Sequence, residues 1–395
     1  MRGGSISALF DPTRFARTTP VPSVIDPSPI PDLPPASATV AVALSGGVDS
    51  AVTAALAVAA GYRVFGVMLR LWAEAGAEGE NRCCTRESVD DARAVARTLD
   101  IPFQVLDARE VFKREVVDPY VAAAAALDTP NPCLLCNQAV RFGFLLRQVA
   151  ALGADVVATG HYARVERDPD GRVRLLRGVD PRKDQSYVLH RLGQDQLARS
   201  WFPLGNRTKV EIRALAARRG LPGAARPDSE DLCWVGAGGV AGFLARHLAP
   251  GVAVPGPILD PDGQTIGRHD GLPFYTLGQR RGLGLSGGAA RYVIGRDPAR
   301  NALLVGPDER LQATEVMVRD LHWIAGAPPP VDAALTAQIR YRAAPAPAAV
   351  VDVGAGTARV RFEEPQRGPT PGQALVLYDG DVCLGGGLIA APGGG

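Results

Sequence analysis

Apolar residues in the first half of the chain fall in short unbroken runs separated by stretches of helical period. Ala38–Leu44 is almost wholly apolar, which predicts a strand buried on both faces, and Ala51–Ala60 behind it has the composition of a buried helix. The alternation continues: Tyr62–Met68 reads as a strand, Ser88–Leu99 as a helix and Ile101–Leu106 as a strand. Tyr120–Leu127 and Arg141–Leu152 read as helices and Ala154–Thr159 as a strand. This predicts an α/β domain, a parallel sheet with helices on both faces, whose ligands bind beyond the carboxyl ends of the strands. The ends at Ser45 and at Gly160-His161-Tyr162 should therefore converge. After Arg226 the texture changes, and Gly and Pro punctuate short segments such as the strand and turn at Pro255–Gln264. Glu315–Leu321, Leu335–Tyr341, Ala349–Val353, Ala358–Phe362, Ala374–Tyr378 and Cys383–Ile389 are short strands that predict a small C-terminal β-barrel, with a small mixed domain before it. Ala327–Val331 and Ala344–Ala348 read as Pro/Ala loops, and no internal repeat is visible.

Composition changes this picture little. With 46% apolar and 21% charged residues the chain reads as soluble and globular, and no run is long and apolar enough to span a bilayer. Residues 1–37 are polar, rich in Pro and Ser, and lack a secretory apolar core, so a disordered extension and a cytoplasmic location are expected. A net charge of +2 argues neither for nor against nucleic acid. Only Lys113, Lys183 and Lys209 among the 43 basic residues are lysines, an arginine excess that a bias of base composition largely explains. The cysteines are Cys83, Cys84, Cys133, Cys136, Cys233 and Cys383; in a cytosolic enzyme they are reactive or metal-binding rather than structural disulfides.

The candidate chemistry starts at Leu44-Ser45-Gly46-Gly47-Val48-Asp49-Ser50, a tight turn between strand and helix. Glycines let backbone approach a phosphate, and the N–H groups at a helix start attract anions. The usual phosphate loop ends in Gly-Lys-Ser/Thr. This loop has no Lys, and Asp49 stands where that cation is expected, which suits a Mg²⁺-held pyrophosphate leaving group. The loop resembles that of ATP pyrophosphatase-type enzymes, which adenylate a substrate. The second signal is Asn131-Pro132-Cys133-Leu134-Leu135-Cys136-Asn137, read as a loop between helices. Cys-x-x-Cys can be a redox pair, part of a metal site, or one working thiol with a neighbour. With Cys233 nearly a hundred residues on, a persulfide relay by thiol–disulfide exchange becomes possible.

These elements together carry a resemblance. The chain resembles the tRNA-specific 2-thiouridylase family from residue 38 to about 390, through Ser45–Ser50, Cys83-Cys84, Asn131–Asn137, Thr159–Arg164, Lys183–Tyr187, Phe202–Gly205, Ser229–Cys233, Gly278–Gly284, Ile339–Arg342, Pro371–Gln373 and Tyr378–Ile389. The resemblance implies a sulfurtransferase that thiolates the wobble uridine of tRNA. It implies ATP held by Ala43, Leu44, Ser45, Gly46, Gly47, Val48, Asp49 and Ser50, with Leu69 and Gly160 at its adenosine end and Mg²⁺ on its phosphates. Cys136 would be the nucleophile, and Cys233 would carry the persulfide sulfur supplied by a relay protein or a cysteine desulfurase. Asn131, Pro132 and Cys133 would lie against the target base. His161, Lys183, Asp184, Gln185, Arg340, Tyr341 and Gln373 would touch the anticodon arm of tRNA. The implied division is a pyrophosphate-loop domain at 38–238, akin to the adenine nucleotide alpha hydrolases, a central tRNA-contacting domain at 239–311 and a tRNA-binding barrel at 312–392.

One position departs from the pattern: many family members carry Asp where this chain has Cys133. The change leaves an alternative open, an iron–sulfur cluster of the [4Fe-4S] type on Cys133, Cys136 and Cys233. Other residues have plainer readings. Cys83, Cys84 and Cys383 read as packing thiols, and Trp72, Trp201, Trp234 and Trp323 as core anchors, Trp234 being worth testing beside Cys233. His190, His247, His269 and His322 read as surface residues, whereas His161 reads as a ligand contact. Arg280 and Arg281, between glycines, read as RNA contacts. The rivals are a pyrophosphate-loop ligase of the argininosuccinate synthase type, which needs no paired thiols, and a non-enzymatic RNA-binding scaffold, which needs no intact ATP loop.

Overall fold

The apolar run at the head of the domain forms the central strand of a parallel sheet. In a computed structural model, which describes residues 33–74, 85–222, 232–236, 238–285 and 289–391, the chain divides into two units. The first is the chain up to Phe112 with Asn137–Ser186 and Leu192–Trp234; the second is Lys113–Cys136, Tyr187–Arg191 and the chain from Val235. Cys83, Cys84 and Ser229–Asp231 of the motifs lie outside the described residues.

In the first unit β1 (Thr39–Ala43), β2 (Arg63–Arg70), β3 (Phe103–Asp107), β4 (Val156–Ala158) and β7 (Ser200–Trp201) form a parallel sheet in the order β3-β2-β1-β4-β7. β5 (Ala163–Arg167) and β6 (Val173–Arg177) form an antiparallel hairpin. Val40 and Val42 face one apolar cluster and Ala41 another, so β1 is covered on both sides and shows no polar alternation. The chain moves outward from β1 through β2 to β3 and returns on the other side of β1 at β4. That reversal opens a crevice at the carboxyl ends of β1 and β4, where the sequence placed its ligand site. Helix Val48–Ala59 is buried from Ser50 through Val58, its alanines allowing close packing against helix Lys209–Arg218. Ordered contacts reach back beyond the start expected at residue 38: the Tyr62 hydroxyl donates to the carbonyl of Pro34 at 2.6 Å.

In the second unit β8 (Gly256–Leu259), β9 (Thr265–His269), β10 (Tyr292–Asp297) and β11 (Ala302–Gly306) form a sheet in the order β10-β11-β8-β9. Six strands then close an antiparallel barrel: β12 (Gln312–Trp323), β13 (Leu335–Gln338), β14 (Ala346–Val353), β15 (Thr357–Arg367), β16 (Ala374–Asp379) and β17 (Val382–Ile389), with β12 pairing both β15 and β17. In β15 Ala358, Val360 and Phe362 point inward while Thr357, Arg359 and Arg361 point outward, the period of a sheet with one wet face. Val360 and Phe362 each contribute about 1.5–3 kcal/mol by leaving water. The expected Pro/Ala loop at 344–348 is shorter than predicted, because β14 starts at Ala346 and tolerates Pro347 at an end paired only to β13. Among the described residues no helix is long and apolar enough to cross a membrane.

Two further expectations are corrected. Asn131–Asn137 is not a loop: Asn131 caps a helical turn at Pro132–Leu135 by accepting the Cys133 N–H at 3.1 Å, and Pro132 occupies the first helical position, where a missing N–H does no harm. The chain then continues in π-helical geometry through Cys136–Leu145 before the α-helix Leu146–Ala151. Of the histidines read as surface residues, His190 and His269 are fully buried.

Candidate active site

The turn after β1 is built for close approach. Gly46 has φ +77°, and a Cβ there would stand 2.6 Å from the Ser88 carbonyl oxygen, so glycine is required twice over. The loop is tied internally: the Ser45 N–H donates to Ser50 Oγ at 3.1 Å, and Ser50 Oγ donates to the Gly47 carbonyl at 2.9 Å. Thr85, Asn131 and Thr208 each cap their helices with a side chain, but no side chain among the described residues caps the helix that Gly47 begins. An uncapped helix start is the arrangement that can receive an anion.

The cation missing from the loop comes from elsewhere. Lys209 Nζ donates to both carboxylate oxygens of Asp49, at 2.8 and 2.7 Å, and its side chain is only 10% exposed against 31% for Asp49. The Tyr162 hydroxyl donates to Asp49 Oδ1 at 2.8 Å, and the Tyr162 N–H donates to Gln185 Oε1 at 3.0 Å. Lys209 is the first residue of its helix, fixed by the reciprocal Thr208–Glu211 capping box and by its own N–H donating to Asp180 Oδ2 at 2.9 Å. A cation at a helix N-terminus opposes the helix dipole, so local preference does not explain it. Gly160 closes the floor, because a Cβ there would lie 2.9 Å from Asp49 Cβ and 3.1 Å from the Ser50 nitrogen. The ends of β1 and β4 thus converge as expected. Sequence reasoning brought Tyr162 to this edge without assigning it a partner and missed Lys209, for which the available signal was its rarity in an arginine-rich chain.

Beside this loop, at the ends of β2 and β3, lies a cavity of about 510 Å³ lined by Met68, Leu69, Arg70, Arg86, Val89, Asp90, Arg93 and Val105. A smaller one of about 40 Å³ is lined by Ala43, Leu44, Ser45, Val67, Met68, Leu69, Leu71, Arg141 and Leu145. The candidate nucleotide residues Ala43, Leu44, Ser45 and Leu69 therefore share one wall.

Several candidate RNA-contacting side chains are occupied within the protein. His161 is 8% exposed, packs against the rings of Phe142 and Phe202 and bonds Thr159 Oγ1 through Nδ1 at 2.7 Å. Burial, with the Arg141 charge adding to it, pushes its pKa down to about 3, so it is neutral and packed. The Asp184 carboxylate accepts from the Gly178 and Ser186 N–H groups, the Ser186 hydroxyl and Arg177, which holds the turn around Lys183. In the second unit the Tyr341 ring lies 6.1 Å from that of Tyr187, and exposed Arg340 donates to the Arg367 carbonyl at 3.3 Å. Gln373 Nε2 donates to the Thr129 carbonyl at 2.6 Å.

The thiols differ in setting. Cys133 is exposed, Cys136 and Cys233 are half-buried, and Cys383 is buried in β17 as expected. Asn131, Pro132, Cys133 and Cys136 share the capped turn, and Cys136 opens the π segment. Gln196 supports that segment by donating to the carbonyls of Gln138 and Phe142 at 2.9 and 2.8 Å. Trp234, next to Cys233, is 3% exposed and packs edge-on to Trp72 and Phe112, an anchor and not a stacking platform. Among the described residues no group of three or more His, Cys, Asp or Glu side chains is placed to hold a metal ion.

Comparison with known proteins covers nearly the whole chain. Residues 38–237 match the tRNA methyl transferase HUP domain, 241–307 the tRNA methyl transferase PRC-barrel domain and 313–389 the aminomethyltransferase beta-barrel domain. The tRNA-specific 2-thiouridylase MnmA of Moorella thermoacetica is 49% identical over 88% of this chain and 98% of its own length. That of Chloroflexus aggregans is 50% identical over 90% and 99%. The chain belongs to the tRNA-specific 2-thiouridylase family. Among solved structures, the U34-tRNA thiolase NcsA from Methanococcus maripaludis matches 50% of this chain and 63% of that one at 19% identity and a TM-score of 0.33, too slight a likeness to bear on function. In this chain the loop Asp49 is paired with a lysine from a distant helix.

Proposed function

We propose that this protein is a sulfurtransferase that converts the wobble uridine, U34, of tRNA to 2-thiouridine with ATP as co-substrate. The observation that supports the reading is about 50% identity, over nearly the whole length of each relative, with proteins named tRNA-specific 2-thiouridylases. In this reading the uridine C2 oxygen attacks the α-phosphate of ATP, and pyrophosphate leaves into the Ser45–Ser50 turn. The uncapped N–H groups and Lys209 then receive its charge. Mg²⁺ arriving with ATP would take a protein oxygen from Asp49 and the rest from phosphates and water, which neutralises charge on the leaving group. Asp49 is the right donor and half-open to solvent, but a cation there competes with Lys209, whose ammonium is then available to the phosphates.

The adenylate makes C2 electrophilic. A persulfide on Cys233 attacks C2 and AMP leaves; the Cys136 thiolate then attacks the Cys233 sulfur, which frees C2=S and leaves a Cys136–Cys233 disulfide. An external dithiol must reduce it for the next turnover. Residues 38–238 serve the nucleotide and the thiols, and 239–311 and 312–392 hold the anticodon arm by shape and phosphate contacts.

The test is thiolation of wobble-uridine tRNA by protein purified without oxygen, with ATP, a persulfide donor and a measured iron content. Iron-free protein is expected to be active, and Cys233→Ser to block thiolation while still forming the adenylate. Near-normal sulfur transfer by Cys233→Ser would end the role of that thiol. Activity confined to iron-loaded protein would replace the relay with cluster-borne sulfur at Cys133, Cys136 and Cys233.

A further inference from the structure

The residues that lead into the Cys136 turn are held more tightly than a connection between helices requires. Helix Asp118–Ala125 ends in paired reverse bonds: the Asp128 N–H donates to the Ala123 carbonyl at 2.9 Å and the Leu127 N–H to the Ala124 carbonyl at 3.0 Å. That motif places Leu127 at φ +64°, a conformation usually given to glycine. A leucine there is strained, because its Cβ crowds the backbone at positive φ. It is kept because the side chain packs on the core formed by Ile258, Leu272 and Tyr275 of the middle domain.

The C-terminal barrel grips the next two residues. Arg319 of β12 pairs with the Asp128 carboxylate, whose side chain is only 19% exposed. The Thr129 N–H donates to the Pro371 carbonyl at 2.7 Å, and the Thr129 carbonyl accepts from Gln373 Nε2 at 2.6 Å. Between them Gly372, at φ +86°, lets backbone meet backbone: a Cβ there would stand 2.7 Å from both Asp128 Cβ and the Thr129 nitrogen. Thr129 is thus bonded to the barrel through both its N–H and its carbonyl, one bond to backbone and one to the Gln373 side chain. Asn131, two residues on, caps the turn that carries Cys133 and Cys136.

We propose that Arg319, Asp128 and Gln373 are positioning residues for the Cys136 thiol: the barrel fixes the segment from which its helical turn starts. Gln373, a tRNA contact by family resemblance, acts in this assignment through Thr129. The assignment rests on Cys136 being the reactive thiol only for its effect on turnover; its first readout needs neither tRNA nor ATP.

That readout is the rate at which iodoacetamide alkylates Cys136 across a pH series, followed by fragment-ion mass spectrometry so that Cys133, which shares its peptide, and Cys383 are scored separately. In Gln373→Leu and Arg319→Met, Cys136 should label about threefold faster or more, as a half-buried thiol gains access, with Cys383 still protected. In thiolation assays kcat should fall while tRNA affinity stays within about twofold, and Arg319→Lys should restore both labelling and kcat. Unchanged or slower Cys136 labelling with weakened tRNA binding would overturn the assignment and make these residues direct RNA contacts. Parallel labelling of Cys136 and Cys383 in both variants would also overturn it, because the contacts would then be general supports of the fold. Thiolation by Cys136→Ser would remove the catalytic reading yet leave the labelling result intact.

Discussion

Lys209 shows what a local motif leaves out. The Ser45–Ser50 turn reads correctly from sequence as a phosphate loop without a lysine, yet an ammonium stands 2.7 Å from Asp49. It arrives from 160 residues away, a distance that no spacing rule spans. If Lys209 receives pyrophosphate charge, Lys209→Met should lower the rate of ATP-dependent adenylate formation by about a hundredfold. Lys209→Arg should recover part of it, since the charge returns with a bulkier head. Folding stability should change by about 1 kcal/mol or less, because Asp49 keeps Tyr162 and partial access to water. Pyrophosphate release and a urea titration check the two halves; a large loss of stability with normal catalysis would make the pair a structural tie. The surroundings of His161 were equally out of reach: its place at a strand end was legible, but the phenylalanines that pack on its ring are distant in sequence.

At the scale of elements, readability followed periodicity. All six barrel strands appear where short apolar alternations stood, because each strand buries one face and shows the other to water. The Asn131-Pro132 start was read as a loop although it is itself a helix N-terminal signature, and the π segment behind it depends on Gln196, whose amide satisfies two of its carbonyls. Glycine demands can be tested here. Gly46 and Gly61 both have positive φ, but a Cβ at Gly46 meets the Ser88 carbonyl at 2.6 Å, whereas at Gly61 nothing lies within 4 Å. Gly61→Ala should therefore cost about 1 kcal/mol, the price of a left-handed alanine alone. Gly46→Ala should cost about 3 kcal/mol or more, and it should abolish ATP binding by displacing the turn from the Thr85-capped helix. Urea midpoints and equilibrium ATP binding measure both; equal costs would mean that the Ser88 contact yields freely.

The whole molecule interleaves its units in a way that hydrophobic pattern does not reveal. Lys113–Cys136 and Tyr187–Arg191, inside the nucleotide domain by sequence, belong to the second unit, because an apolar face does not state which core it joins. Each unit contains a deeply buried imidazole. His161 lies in the first and His190 in the second, where Nδ1 bonds the Tyr187 carbonyl at 2.8 Å and Nε2 has no hydrogen-bond partner among the described residues. Burial pushes both pKa values down from 6.5 to about 3; for His190 the Tyr187 bond and Asp320 oppose the shift, while Arg191 and His322 add to it. Between those values the unfolded chain binds more protons than the folded one, so stability rises with pH. The contribution is complete above 6.5 and is lost progressively as pH falls toward 3. Each histidine adds a slope of up to about 1.4 kcal/mol per pH unit in that window. Denaturant unfolding at pH 7, 6 and 5 should thus show falling stability, and His190→Gln, though less stable at neutral pH, should show a shallower fall. Because the two imidazoles sit in different units, the variant should flatten the acid response of the second unit and leave that of the first. A slope identical to the parent's would mean that His190 takes up its proton in the folded state and that its cavity admits water.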